Sequence, residues 1–229
     1  MSRLSEDSAA PPLAGSATPE FTLEQRRILL GIARASIASA LAGEPLPDLP
    51  PASTLLSPPD STSAASSTIP ASSFSPDLLR TLRQPRGVFT TLYLGGDLRG
   101  CVGYPLPIRP LFRAIAETAR AAAFEDTRFW PVKPEEAPHL KISLSVLSPL
   151  FPISASQVEV GRHGLLISDG RQRGLLLPQV PIEHGWDRET FLAQTCHKAG
   201  LPLDAWRKPA TLEAFTAEVF GDDDFPQLT

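Results

Sequence analysis

Gly87-Val88-Phe89-Thr90-Thr91-Leu92-Tyr93-Leu94 is rich in β-branched and aromatic residues, and it runs into Gly95-Gly96-Asp97 and then Leu98-Arg99-Gly100-Cys101-Val102. Two such runs about a glycine turn read as a β-hairpin. Before it, Pro76 to Arg83 predicts a short helix. After it, Pro110 stands where a helix begins, and Leu111, Ile115 and Ala119 recur at helical spacing. Ile142, Leu144 and Val146 alternate, so Lys141 to Ser148 predicts a strand. Leu165-Leu166-Ile167 and Gly174-Leu175-Leu176-Leu177 flank Asp169-Gly170, a strong turn signal, and predict a second hairpin. Asp187 suits the cap of a helix from Arg188 to Lys198 that stops at Gly200. Phe215, Ala217 and Val219 alternate with polar residues and predict one last strand. Hairpins and helices without a β-α-β rhythm predict an α+β fold.

The N-terminal third has a different texture. Residues 1–19 are rich in Ser, Ala and Pro and read as a flexible leader. Residues 20–43 read as a helix, with Thr22 and Gln25 as a capping box and Gly43 as its stop. Residues 44–75 hold seven prolines and nine serines, and read as an insertion or extended loop. Residues 20–221 then form the domain. Residues 222–229, with Asp222-Asp223-Asp224, read as a solvated acidic tail.

Composition bounds the function. The 229 residues are 42% hydrophobic, enough to bury a core. The net charge is −4, against the basic face that nucleic-acid binding needs. The run Ile28 to Ala42 is broken by Gly31, Arg34, Ser36 and Ser39, so no membrane span is expected. The first ten residues lack an apolar core for a secretion signal. Two cysteines, Cys101 and Cys196, do not make a disulfide scaffold, and a cytoplasmic chain with reduced thiols is expected.

Leu98-Arg99-Gly100-Cys101-Val102-Gly103 carries the chemistry. Gly100 and Gly103 weaken a strand unless something approaches its backbone closely. Arg99 and a nearby helix start would both favour a thiolate at Cys101. The functional reading is a reactive or ligand-binding thiol with Arg99 beside it. The packing reading is a small cysteine on a bulged strand, with glycine there for space. Asp126 and Arg128 follow the alanine-rich helix and suit an ion pair that holds a turn or orients a loop round a pocket. No CxxC, HExxH, phosphate loop, dinucleotide fingerprint or nucleophile elbow is present, so no metal or cofactor is expected.

In order, the Gly87–Leu92 strand, Leu98–Gly103, Asp126-x-Arg128-Phe129, Ser145-Val146-Leu147-Ser148, Arg173–Val180, Gly185-Trp186-Asp187, Phe191-Leu192, Cys196-x-Lys198-Ala199-Gly200-Leu201 and Trp206 resemble the AMMECR domain family. Its bacterial and archaeal members are similar to protein A of the AmmeMemoRadiSam system. The resemblance covers nearly all of residues 20–220. It implies an antiparallel sheet flanked by helices, a smaller β-rich lobe, and association with Memo-like and radical-SAM proteins. It marks Leu98, Arg99, Gly100, Cys101, Val102 and Gly103 as the functional surface. Thr127 stands where the family usually has proline, and Ser143 where many members have an acid. Two functions remain. One is a component that binds a partner or small ligand through this loop with Asp126 and Arg128. The other is an enzyme that uses Cys101 and Arg99 on a substrate.

Overall fold

The computed structural model describes residues 19–46, 75–207 and 211–225. The leader and most of the Pro/Ser-rich segment lie outside these residues. The described helices are α1 (Leu23–Leu41), α2 (Pro76–Arg83), α3 (Leu111–Phe124), α4 (Gln179–Glu183) and α5 (Arg188–Lys198). The strands are β1 (Val88–Leu94), β2 (Asp97–Tyr104), β3 (Leu140–Leu147), β4 (Phe151–Pro152), β5 (Gly164–Ser168), β6 (Arg173–Leu176), β7 (Thr211–Phe215) and β8 (Ala217–Gly221). They form two four-stranded sheets, ordered β2-β1-β3-β8 and β4-β7-β5-β6, and every pairing is antiparallel. The fold is α+β.

The chain divides into two compact units. The larger joins residues 19–149 to the segment from Ala217 onward. Its sheet turns Val88, Leu92, Ile142, Leu144, Val146 and Phe220 onto the helices. Period-two alternation puts Phe89, Thr91, Tyr93, Cys101, Ser143 and Ser145 on the opposite face. α1 starts with Thr22 and Gln25 in the expected capping box, and Gly43 takes φ 71° just past its end. It lies along α3, where Ser36 donates to the Ala116 carbonyl at 2.6 Å. Small side chains permit that approach: Ala114, Ala116, Ala119 and Ala122 of α3 are all buried.

Asp222 accepts from the Arg34 guanidinium at 2.6 Å and from the Ile142 N–H at 2.7 Å. Asp223 pairs with Lys141, and Asp224 accepts from the Gly221 N–H at 2.8 Å. Acids read from sequence as a solvated tail thus tie a 3-10 turn to β3 and α1.

The smaller unit holds β4 to β7, α4 and α5. Phe191 and Leu192 of α5 pack with Leu165, Val158 and Ala214 in one cluster, and Cys196 joins Ile167, Ala199 and Leu201 in another. Asp187 caps α5 by accepting from the Thr190 N–H at 2.8 Å. Gly174 packs tightly on the end of α5, where an added Cβ would stand 2.3 Å from the Ala199 nitrogen.

One sequence expectation needs correction. The predicted last strand is two: β7 ends at Phe215 in one sheet and β8 begins at Ala217 in the other. The alternation runs unbroken across Thr216, so pattern alone does not mark the change of sheet.

Candidate functional site around Cys101

β2 is an edge strand, and its register with β1 slips once. Leu92 opposes Gly100 while Tyr93 opposes Leu98, which leaves Arg99 as the extra residue of a bulge. The bulge turns Arg99 out of the ladder towards the connection between α3 and β3. There its Nε and Nη2 each donate to Glu136 at 3.0 Å, a bidentate pair. Nη2 also reaches the Pro131 carbonyl at 3.4 Å, and Glu136 accepts from the Lys133 N–H at 2.7 Å. Arg99 holds the Glu136 carboxyl below its usual range, with the Lys133 N–H adding to the effect.

The six-residue segment divides between the faces of its sheet. Gly100 and Val102 face the helices. A Cβ at Gly100 would lie 2.1 Å from the Ala122 carbonyl oxygen, so α3 rides directly on this strand. Val102 packs on the main core. Cys101 and Gly103 face the other way. A Cβ at Gly103 would lie 2.2 Å from the Phe89 ring, which covers that position. Both glycines therefore answer to close packing. Leu98 is exposed near the hairpin turn.

Cys101 is half-buried and its thiol is free. The Thr91 hydroxyl across the ladder donates to its sulfur at 3.4 Å. Its backbone N–H donates to Asp126 Oδ2 at 2.8 Å. Arg128 clasps the same carboxylate, Nε to Oδ1 at 3.0 Å and Nη2 to Oδ2 at 2.7 Å, and Nη2 reaches the Cys101 carbonyl at 3.4 Å. The Asp126 side chain is 6% exposed and that of Arg128 55%. Hydrogen bonding to Arg128, above all, holds the Asp126 carboxyl far below the usual carboxylate range, against the effect of burial.

The turn after α3 is closed without a proline at Thr127. Asp126 accepts from the Arg128 N–H at 3.2 Å through its side chain and from the Phe129 N–H at 3.0 Å through its carbonyl. Ser143 lies across β1 from Cys101, with Thr91 paired to both. Of the predicted residues, Cys101, Asp126 and Arg128 thus come together around one strand, Arg99 pairs instead with Glu136, and Gly100 and Val102 serve the core. Glu136 was not legible: it sits in a Pro-Glu-Glu stretch with no motif, and only the bulge brings Arg99 to it. Trp130, next to the Arg99-bonded Pro131, is 87% exposed. Among the described residues, no group of three His, Cys, Asp or Glu side chains is placed to hold a metal ion. Among the same residues, no helix is long and apolar enough to cross a membrane.

Comparison with known proteins adds the following. The AMMECR1 family model matches residues 30–220. A protein of Methanothermobacter thermautotrophicus is 48% identical over 155 residues, covering 64% of this chain and 81% of its own length. Protein TK0174 of Thermococcus kodakarensis is 48% identical over 158 residues, covering 64% and 77%. The crystal structure of the uncharacterised protein PH0010 from Pyrococcus horikoshii superposes with a TM-score of 0.58 at 37% identity, covering 87% of this chain and 92% of that one.

Proposed function

Since this chain belongs to the AMMECR1 family, we propose that it is a binding component, working with Memo-like and radical-SAM proteins, that recognises a partner or small ligand through Leu98–Gly103 and the Asp126–Glu136 connection. The use of charge around Cys101 carries this reading. Asp126 is committed to Arg128 and the Cys101 N–H, and Glu136 to Arg99 and the Lys133 N–H. Carboxylates held below their usual range are weak bases near neutral pH, and a guanidinium does not exchange its proton there. These four groups hold a shape. The groups left to meet another molecule are the Cys101 sulfur, Leu98 and Trp130. An exposed tryptophan beside an ordered ion-pair frame suits an interface anchor.

The test mixes the full chain with a Memo-like or radical-SAM protein of the same organism and measures complex formation by calorimetry. Binding that Trp130→Ala weakens by at least about tenfold, ~1.4 kcal/mol, supports the reading. Wild-type affinity in Trp130→Ala, Leu98→Ala and Cys101→Ser alike overturns it.

The enzyme reading rests on a separate observation, the Thr91 hydroxyl directed at the Cys101 sulfur. A donor on the sulfur holds the thiol in one orientation on the open face of the sheet. It predicts that Thr91→Val slows alkylation of Cys101 at fixed pH, and an unchanged rate removes its support.

A further inference from the structure

The smaller unit carries a buried histidine that the Cys101 site does not use. His163 closes the turn between the 3-10 helix Ala155–Gln157 and β5, and it is 7% exposed. His163 and Glu159 grip each other twice. The His163 N–H donates to the Glu159 carbonyl at 3.0 Å, and the Glu159 N–H donates to His163 Nδ1 at 3.0 Å. Nδ1 is therefore the bare nitrogen, and the neutral ring carries its proton on Nε2. A second proton has to enter at Nδ1, where it meets the Glu159 N–H head-on. Protonation and this bond exclude each other.

The surroundings do little for a charged ring. Phe151 of β4 stands edge-on to it, 5.9 Å between centroids, and neither Phe151 nor Pro152 titrates. β5 follows as Gly164-Leu165-Leu166-Ile167-Ser168 and brings no charge. Arg188 of α5 reaches the same loop, but donates to the Ser156 carbonyl at 2.9 Å. Among the described residues, the charges that act on the imidazole are Glu159 and Arg162 of its own turn. They pair with each other at 3.1 Å, and their fields on the ring oppose. Burial outweighs both and pushes His163 below the ordinary imidazole range. The turn also touches α4. Gly161, at φ 85°, lies so near Ile182 that a Cβ there would stand 3.0 Å from its Cδ1.

We propose that His163 is an acid-sensitive latch, whose protonation releases the Glu159 N–H and lifts the 158–163 turn off Ile182. Opening uncovers Ile182 further and frees Val158, which is buried against Leu165 and Phe191 in the closed turn. The neutral ring favours closure. The latch is therefore fully held above the ordinary histidine value of about 6.5, and it is lost as pH falls from there through the depressed folded value. None of its residues belongs to the Cys101 site, so the proposal stands apart from the function above. The test follows the full chain by NMR between about pH 7.5 and about pH 5, a range that brackets the ordinary histidine value. Three results are expected: a neutral His163 with its proton on Nε2, a midpoint below the ordinary value, and an Ile182 methyl signal that shifts with that midpoint. Over the same range the protection factor of the Glu159 amide falls at least about threefold. His163→Asn keeps an acceptor near the Nδ1 position without a titrating ring, and its Glu159 protection stays level. A proton on Nδ1, an ordinary or raised midpoint, or constant Glu159 protection in the wild type overturns the latch. An equal fall in His163→Asn overturns it too. Where that variant does not fold, the wild-type tautomer, midpoint and protection decide alone.

Discussion

Asp126 accepts the backbone N–H of Cys101 at 2.8 Å across 25 residues of sequence. The bond joins the turn after α3 to the strand that bears the thiol. Asp126→Ala leaves that N–H and the Arg128 guanidinium without their acceptor. Because Arg128 is 55% exposed, solvent takes up much of the loss, and a destabilisation of about 1–3 kcal/mol is expected. Urea titration of Asp126→Ala, Arg128→Ala and the double variant measures it. Strict additivity of the two losses would mean that the pair does not act as a unit.

Asp126 also sets an acid limit. Its folded pKa is depressed, chiefly by Arg128. Its contribution to stability is therefore present above the ordinary carboxylate value near ~3.9 and is lost as pH falls below it. In Asp126→Asn the fall in stability between pH 5 and pH 3, values of about one unit either side of that point, is shallower than in the wild type.

The two thiols separate cleanly. Cys101 is half-buried, whereas Cys196 is fully buried and burial pushes its thiol up. Iodoacetamide on the native protein, read by peptide mass spectrometry, labels Cys101 first. Cys196 follows only on unfolding. Equal labelling of both in the native state would contradict the packing of α5.

Gly100 and Gly103 differ in what they tolerate. A methyl at Gly100 meets the Ala122 carbonyl, which is backbone, and α3 must lift for it to fit. A methyl at Gly103 meets the Phe89 ring at 2.2 Å, which can turn, and the Val88 carbonyl oxygen at 2.7 Å, a backbone contact looser than the 2.1 Å one at Gly100. Gly100→Ala is expected to cost about 3 kcal/mol or more and Gly103→Ala about 1–2. Thermal melts of the two variants check the order.

Arg86 is 1% exposed, with Nη1 on the Leu147 carbonyl at 2.7 Å and Nη2 on Glu20. Among the described residues its buried Nε has no hydrogen-bond partner. Glu20→Gln strands a buried cation and is expected to destabilise by about 2–4 kcal/mol, less than a fully buried pair because Glu20 is 41% exposed. Arg86→Met, close in length and neutral, is expected to cost less than Glu20→Gln. The reverse order in chemical denaturation would show that Glu20 is not what compensates the guanidinium.

Much of this was readable beforehand, and the reasons are local. Thr22 with Gln25, Asp187 and the glycine turns act within a few residues, so their chemistry shows in the sequence. The partners of Arg99 and Cys101 were less legible. Glu136 meets Arg99 because a bulge redirects one side chain, and a bulge in a glycine-containing strand leaves no fixed signature. Gly100 read equally well as a functional or a packing residue until Ala122 was placed over it. The division of Phe215 and Ala217 between sheets was illegible because alternation is the same on either side.

Among the described residues no strand pairs with the outer edge of β2, and the bonds that Asp126 and Arg128 make to Cys101 stand in for one. One charged pair occupies the outward N–H and carbonyl of a rung that would otherwise template another chain. This guard is ionic where a proline or a covering helix would be steric. It weakens together with its charges, in strong acid or in Asp126→Ala. The same protein, still folded, then gains a sticky border, and slow self-association is its signature.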